Sequence, residues 1–507
     1  MHRATREPAG RTRARLGALA RGGLLLSGLL LSGVLLSGVL LLAGCTAGAP
    51  HSLPPSRTPS ATPSRPTPTG SSAPVAVPVP GITGWSSYHA DASRTGAVGS
   101  GASLTSLTQA WSADLGGAVF GQPVVAGGRV IAATETNRVV ALEPGTGNVV
   151  WSASLGAPLT DVGSAAGCGD IDPLGVTSTP AVDPATGTVY VVGEVSTGGG
   201  AVHHQLEGFS VATGQVVLSE AVDPPLPAGE NPVHLLQRAS LAVADGRVYI
   251  AYGGNYGDCG DYHGWVVGVN ETGAPGLVSF EAAADGQGGA IWEGGGAPAV
   301  DAAGDLYVST GNSNPDPPAG GPDPVQYAES VVKLSPDLKP LAAFKDQGAG
   351  GDDDLGTGNP VLLPGGLLFV AGKTDVGFVL RQSDLSEVAS VSGLCGSDPD
   401  GGAAYDRTTN RLFVPCRGGG VQTVDLAAGQ RGVRLAGANG APIVIGGSVW
   451  AVEYPEGTIS QFGAATGALI QRVPVGRSEP HFASPSTALG VLLVGTDSGV
   501  VAFRGGG

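Results

Sequence analysis

With one methionine in 507 residues, aromatics at 5% and charged residues at 13%, this chain is short of the ingredients of long amphipathic helices. Glycine (86) and proline (39) are instead abundant, the composition of many short strands joined by turns. No Gly-rich phosphate loop, zinc-ligand spacing or Ser nucleophile elbow occurs, so nucleotide transfer, zinc chemistry and serine hydrolysis have no motif to stand on. No two cysteines are adjacent. Excess positive charge is missing too: the formal net charge is −16, which repels nucleic acid and anionic lipid headgroups. No nucleic-acid partner is expected.

The basic residues that do occur are concentrated at the start. Arg3, Arg6, Arg11, Arg13, Arg15 and Arg21 precede an apolar segment from Leu24 to Leu42, so residues 1–44 read as an export signal. The apolar run is long enough for a permanent membrane helix, but the residues at its end argue for cleavage. Leu42-Ala43-Gly44-Cys45 resembles the lipobox of bacterial lipoproteins, where small residues admit the signal peptidase and the cysteine thiol takes a diacylglycerol. Lipidation at Cys45 is expected, with membrane attachment through the lipid alone. Residues 45–80 are nearly all Pro, Ser, Thr, Ala, Gly and Val and bury too little apolar surface to offset the entropy of ordering. They read as a disordered, extended stalk holding residues 81–507 on the outer face of a cell membrane, inner or outer.

Beyond Gly81 one unit recurs: small-Pro-Val-Val, a Gly turn, two apolar strands, a Thr-Gly corner and a last strand. The first full copy is GQPVVAGGRVIAATETNRVVALEPGTGNVVWSAS, residues 121–154, and six more come after it. A period of roughly 35–60 residues with about four strands each is the pattern of propeller blades. Runs such as VYVV, VYIAY and LLFVA are apolar on both faces, as in a sheet sandwiched between neighbours. After the seventh copy, residues 482–503 supply only three strands, while LTQAWSADLG at 107–116 looks like a fourth strand without its first three. Pairing them closes the ring and removes exposed sheet edges. The expectation is an all-β, eight-bladed β-propeller whose last blade is closed by an N-terminal strand. In ALEPGTGNVVW, residues 141–151, Gly supplies positive φ at the corner, Glu143 and Thr146 serve the turn amides, and Trp151 fills space between blades.

The combination A-x-[DE]-x-x-T-G-x-x-x-W, Ala141 to Trp151, resembles the PQQ-like β-propeller repeat. Quinoprotein alcohol dehydrogenases share it, as does the propeller lipoprotein of the outer-membrane protein assembly machinery. Segments 85–96, 238–268 and 395–416 look like secreted bacterial members of that superfamily. The resemblance implies the fold over most of residues 85–505 and little about activity, because the repeat is a packing motif. The dehydrogenases hold their quinone on a tryptophan beneath a disulfide of adjacent cysteines, beside a calcium or lanthanide ion. The cysteines here are dispersed and no metal set matches, so no cofactor is expected; PQQ with calcium belongs to the alternative reading.

With Cys45 set aside, Cys168, Cys259, Cys395 and Cys416 remain in an oxidising compartment. In an antiparallel blade the start of the first strand lies beside the end of the second, which pairs Cys395 with Cys416 and, across blades, Cys168 with Cys259. The same rule gathers the polar lead-ins to first strands and the exits from second strands around one mouth of the channel. The candidate ligand-binding residues there are Arg238, His263, Trp265, Glu293, Asn312, Asp354, Lys373, Arg417 and His481. Against a site stands the ordinary polarity of loops. His263 reads as a hydrogen-bonded core residue before a proton carrier. GDDDLG at 351–356 lacks the spacing of a calcium loop and reads as a solvated acidic turn. Residues 315–327 read as an insertion on this rim, a lid or a partner-binding loop. No spacing rule singles out a glycosidase pair among Glu293, Asp354 and Glu479. The expected function is a monomeric, non-catalytic binding or scaffold module that offers one polar mouth to an extracytoplasmic protein, glycan or small ligand. The alternative is a PQQ-dependent oxidoreductase using that mouth.

Overall fold

The computed structural model describes residues 84–99, 104–315 and 326–505. The signal, Cys45, the stalk and nearly all of the 315–327 insertion lie outside the described residues. Eight of the sheets that the described residues form are each built on a run of four antiparallel strands, and two further pairs of short strands join the loops between them. Blade one is typical, with strands Val124–Ala126, Arg129–Ala133, Arg138–Leu142 and Val149–Ser154. Its first three strands are almost wholly buried and its fourth faces solvent except at Trp151. That gradient is what a radial arrangement requires, since the inner strands are covered by neighbouring blades on both faces. Blade eight consists of Ser486–Ala488, Val491–Thr496 and Gly499–Arg504, completed by Thr108–Asp114, which runs antiparallel to Gly499–Arg504. The ring closes as the repeat pattern required.

The Thr-Gly corners are packing devices. Gly147 sits at φ +73°, and a Cβ there would lie 2.6 Å from the Trp111 ring of blade eight. Gly214, at φ +72° in blade two, bears the same relation to Trp151. Trp111 donates its indole N–H to the Pro144 carbonyl at 2.9 Å, and Trp151 donates to the Val211 carbonyl at 2.9 Å. Each tryptophan therefore docks on the corner of the next blade, and the glycine is needed for contact as well as for φ. At the corner itself the Glu143 carbonyl accepts from Gly147 N–H, and Thr146 Oγ1 accepts from Asn148 N–H.

Residues 84–98 play a part that the repeat pattern does not foretell. The second residue of a first strand is Val125, Val182, Val300, Leu362, Tyr405 and Val444 in blades one, two, four, five, six and seven. Each donates its backbone N–H to this segment, at the carbonyls of Trp85, Ser86, Ala92, Ser93, Thr95 and Gly96, with distances of 2.7–2.9 Å. First strands line the axis of the ring and have no further strand inward, so their free amides need partners. The segment supplies them and fills the channel on the side away from the lead-ins. Trp85 and His89 are fully buried, and Trp85 donates its indole N–H to Gln122 Oε1 at 2.7 Å. Arg94 is also buried and donates twice to the Pro298 carbonyl, at 3.1 and 2.9 Å.

Both expected disulfides are present. Cys168–Cys259 and Cys395–Cys416 have Cα separations of 5.8 and 5.4 Å. No helix among the described residues is long and apolar enough to cross a membrane.

Candidate functional site

With one end of the channel filled, the lead-ins and exits at the other end surround a cup of about 370 Å³, within the range of small-molecule sites. Arg238, leading into blade three, lies at its base and is 4% exposed. Its guanidinium donates to the carbonyls of His481 (3.2 Å) and Thr177 (3.5 Å) and lies over the rings of Phe482 (5.2 Å) and Phe120 (5.7 Å). The backbone beneath is Gly295, at φ +79°, where a Cβ would come within 2.5 Å of Arg238 Nη1. Among the described residues no carboxylate forms an ion pair with Arg238. Burial pulls its pKa below the ordinary guanidinium value, although an arginine stays charged.

The acids of the wall are, by contrast, occupied. Lys373 Nζ contacts Asp352 Oδ1 and Asp354 Oδ2, both at 2.6 Å, while Asp354 Oδ1 accepts from the Asn312 backbone N–H at 2.7 Å. Burial raises the Asp354 carboxyl against the opposing pull of Lys373. Burial also opposes the charge on Lys373, yet the two aspartates hold its pKa above the usual value. The acidic turn is thus solvated at Asp352 and Asp353 but turned inward at Asp354. On the opposite wall His481 Nε2 meets Asp400 Oδ2 at 2.8 Å, and Tyr454 Oη donates to the same oxygen at 3.2 Å. The His481 ring stacks on Phe482, with centroids 3.8 Å apart. Arg417 stands at the rim, 3.8 Å from Asp398.

The family described as outer membrane protein assembly factor BamB matches residues 97–257. The match spans about a third of the chain, within the eight-bladed β-propeller. Among solved structures it is similar to quinohemoprotein alcohol dehydrogenase from Comamonas testosteroni, with 18% identity, a TM-score of 0.64, and coverage of 85% of this chain and 81% of that one. A europium-containing methanol dehydrogenase gives 14% identity and a TM-score of 0.62, over 82% of this chain and 90% of that one. BamB from Moraxella catarrhalis gives 13% identity and a TM-score of 0.53, over 78% of this chain and 99% of that one. No curated protein sequence matches it. Identities this low establish a shared fold and nothing finer.

Of the candidate residues, the propeller brings Arg238, Asp354, Lys373, Arg417 and His481 to the cup lining. The others stand behind it. Glu293 is fully buried and accepts from Ser309 N–H (3.3 Å) and Asn359 Nδ2 (3.2 Å); burial pushes its pKa up to about 8. Asn312 binds the Gly351 carbonyl at 3.3 Å and Asp354 through its backbone, positioning the acidic turn. His263 is hydrogen-bonded to Glu230 and to the Gly286 carbonyl, and Trp265 packs in an apolar cluster with Tyr252 and Tyr262. Sequence reasoning passed over Phe120, Asp170, Tyr256, Trp292, Asp400 and Phe482. A rule that sorts polar residues at lead-ins does not select Phe120 or Phe482, although Phe482 directly follows His481, which it did select. Asp170 and Tyr256 reach the rim because Cys168–Cys259 clamps their two loops together.

Proposed function

We propose that this PQQ-like propeller is a monomeric, non-catalytic binding module that receives a small ligand or the end of a glycan in its cup. It works in an extracytoplasmic compartment, tethered by a lipid on Cys45. The observation that carries this reading is Arg238, a buried cation without a carboxylate partner at the base of a cavity closed behind. Burying a charge is costly unless an opposite charge meets it, and the cup is open on the side from which one can arrive. Export is supported by the two disulfides and by the basic, apolar leader ending in the Leu-Ala-Gly-Cys box. The matched family is described as an assembly factor, which favours a scaffold over a catalyst.

The dehydrogenase structures favour a second reading, a quinone-dependent oxidoreductase, but the donors present do not fit a quinone with its metal. The bonded cysteines are 91 and 21 positions apart, so neither disulfide joins adjacent residues. Asp354 is engaged by Lys373 and Asn312, and Asp400 by His481 and Tyr454, so neither is a free hard oxygen donor for a metal ion. Among the described residues no three His, Cys, Asp or Glu side chains are grouped to hold a metal ion. The folded chain mixed with PQQ and calcium should yield neither a bound chromophore nor alcohol-dependent dye reduction. A stoichiometric absorbing complex that reduces dye would replace the binding-module reading.

A further inference from the structure

The geometry points to a carboxylated sugar, a hexuronate or the uronate end of an acidic glycan, as the ligand of the cup, with its carboxylate against Arg238 and its ring against the aromatic wall. The inference rests on the reading of the cup as a binding site and names what enters it. A guanidinium has five N–H donors in a planar fork, and the two hydrogen bonds made by Arg238 go to backbone carbonyls at 3.2 and 3.5 Å. The ligand group that matches such a fork is a carboxylate, bound through two parallel hydrogen bonds. No side chain of the wall takes that role, because Asp354 is held by Lys373 and Asp400 by His481.

The rest of the lining selects among carboxylates. Phe120, Phe482 and Trp292 contribute apolar ring surface to the lining, and Tyr256 stands 62% exposed at the rim, surfaces suited to the C–H groups of a sugar ring. Asp170 and Asp258 sit above them as acceptors for hydroxyls, and Asp258 uses only its Oδ1 internally, for Tyr262 Oη at 2.6 Å. A fatty acid would lay its chain against Lys373, Arg417 and these aspartates, burying charge without compensation. A phosphate brings nearly two negative charges, whereas the one guanidinium without an ion pair already feels Glu135, then Asp400 and Asp170, and balances one.

The test titrates the full chain with galacturonate, galactose and inorganic phosphate, read by calorimetry and by tryptophan fluorescence, for which Trp292 is a reporter within the cup. Galacturonate should bind saturably, with galactose and phosphate at least about 10-fold weaker. Arg238→Gln should weaken galacturonate by about 10- to 100-fold and leave galactose unchanged, while Arg238→Lys recovers part of the loss. Arg417→Gln removes a charge at the rim and should cost less than about threefold. Should Arg238→Gln fail to melt cooperatively, the comparison of acid with neutral sugar on the unaltered chain still decides. Galactose bound as tightly as galacturonate, phosphate bound more tightly, no sugar binding, or indifference to Arg238 in a folded variant each overturns the carboxylate assignment. Galacturonate binding that ignores both Tyr256→Ala and Phe482→Ala would lie outside the cup and sink the binding-site reading itself.

Discussion

The two ends of the central channel are framed by the same first strands and finish in opposite ways. At one end residues 84–98 offer carbonyls to six inner strands, so backbone meets backbone on the axis, and the depression of about 880 Å³ outside it is lined by the plug itself and by the ends of first strands. At the other end the strands give way to loops, and side chains of both signs face a cavity. A strand edge is satisfied by any extended segment, whatever its sequence, whereas a ring of lead-ins is satisfied only by the side chains that each loop happens to carry. The filled end therefore contributes stability, and the open end is the one the proposed binding function uses.

The strongest way to break this contrast is to remove the plug. Deleting residues 84–98 should strip the inner strands of their partners and abolish cooperative unfolding, and Trp85→Ala alone should cost about 3–5 kcal/mol in denaturant melts. Next comes the clamp at the mouth. Replacing Cys168 and Cys259 with Ser should cost about 2–4 kcal/mol, more than the same change at Cys395 and Cys416, because the closed loop spans 91 positions against 21.

Titration should then separate the two ends by sign. Behind the cup, burial pushes Glu293 to about 8 and Glu135, which follows the second strand of blade one and accepts from Gly175 N–H and Thr177 Oγ1, to about 7, both above the unfolded carboxyl value. Their stabilising contribution is complete below about 4.5 and is lost as pH rises through 7–8. In the plug, burial depresses His89 to about 3, below its unfolded value, so its contribution is present above about 6.5 and is lost as pH falls toward 3. Melting temperatures should fall on both sides of mildly acidic pH. Glu293→Gln should flatten the alkaline limb, by more than about 1 kcal/mol at pH 9, and His89→Phe the acid limb. With Glu135 still titrating, the Glu293→Gln limb should be shallower and not flat, and a limb as steep as that of the unaltered chain would show that the loss arises elsewhere. The smallest effect belongs to the exposed rim, where Arg417→Gln should shift stability by less than about 0.5 kcal/mol in the same melts.

The ring, its closure and both disulfides were legible in the sequence because each obeys a local rule. Apolar strands of fixed spacing call for radial packing, an unmatched fourth strand calls for three partners, and strand ends that must meet call for bonded cysteines. The cup was legible only in part. His263 and Trp265, scarce residue types in a conspicuous stretch, proved to belong to a buried network and an apolar cluster, while Phe120 and Phe482 carried no polar signal. The plug was not legible, since WSSYHADASRTG has neither strand alternation nor turn punctuation, and its backbone bonds depend on a channel that forms from residues up to several hundred positions away.

What the amino-acid order determined alone is therefore the periodic part: strands, corners, tryptophans that dock on glycines, and the number of blades, because each of these depends on neighbours within one repeat. What only the tertiary structure decided is the axis. Which end of the channel is filled, which charges remain unpaired, and why Arg238 faces a cavity while Lys373 does not face it free all depend on the distances between loops of different blades. Those distances exist only once the ring has closed.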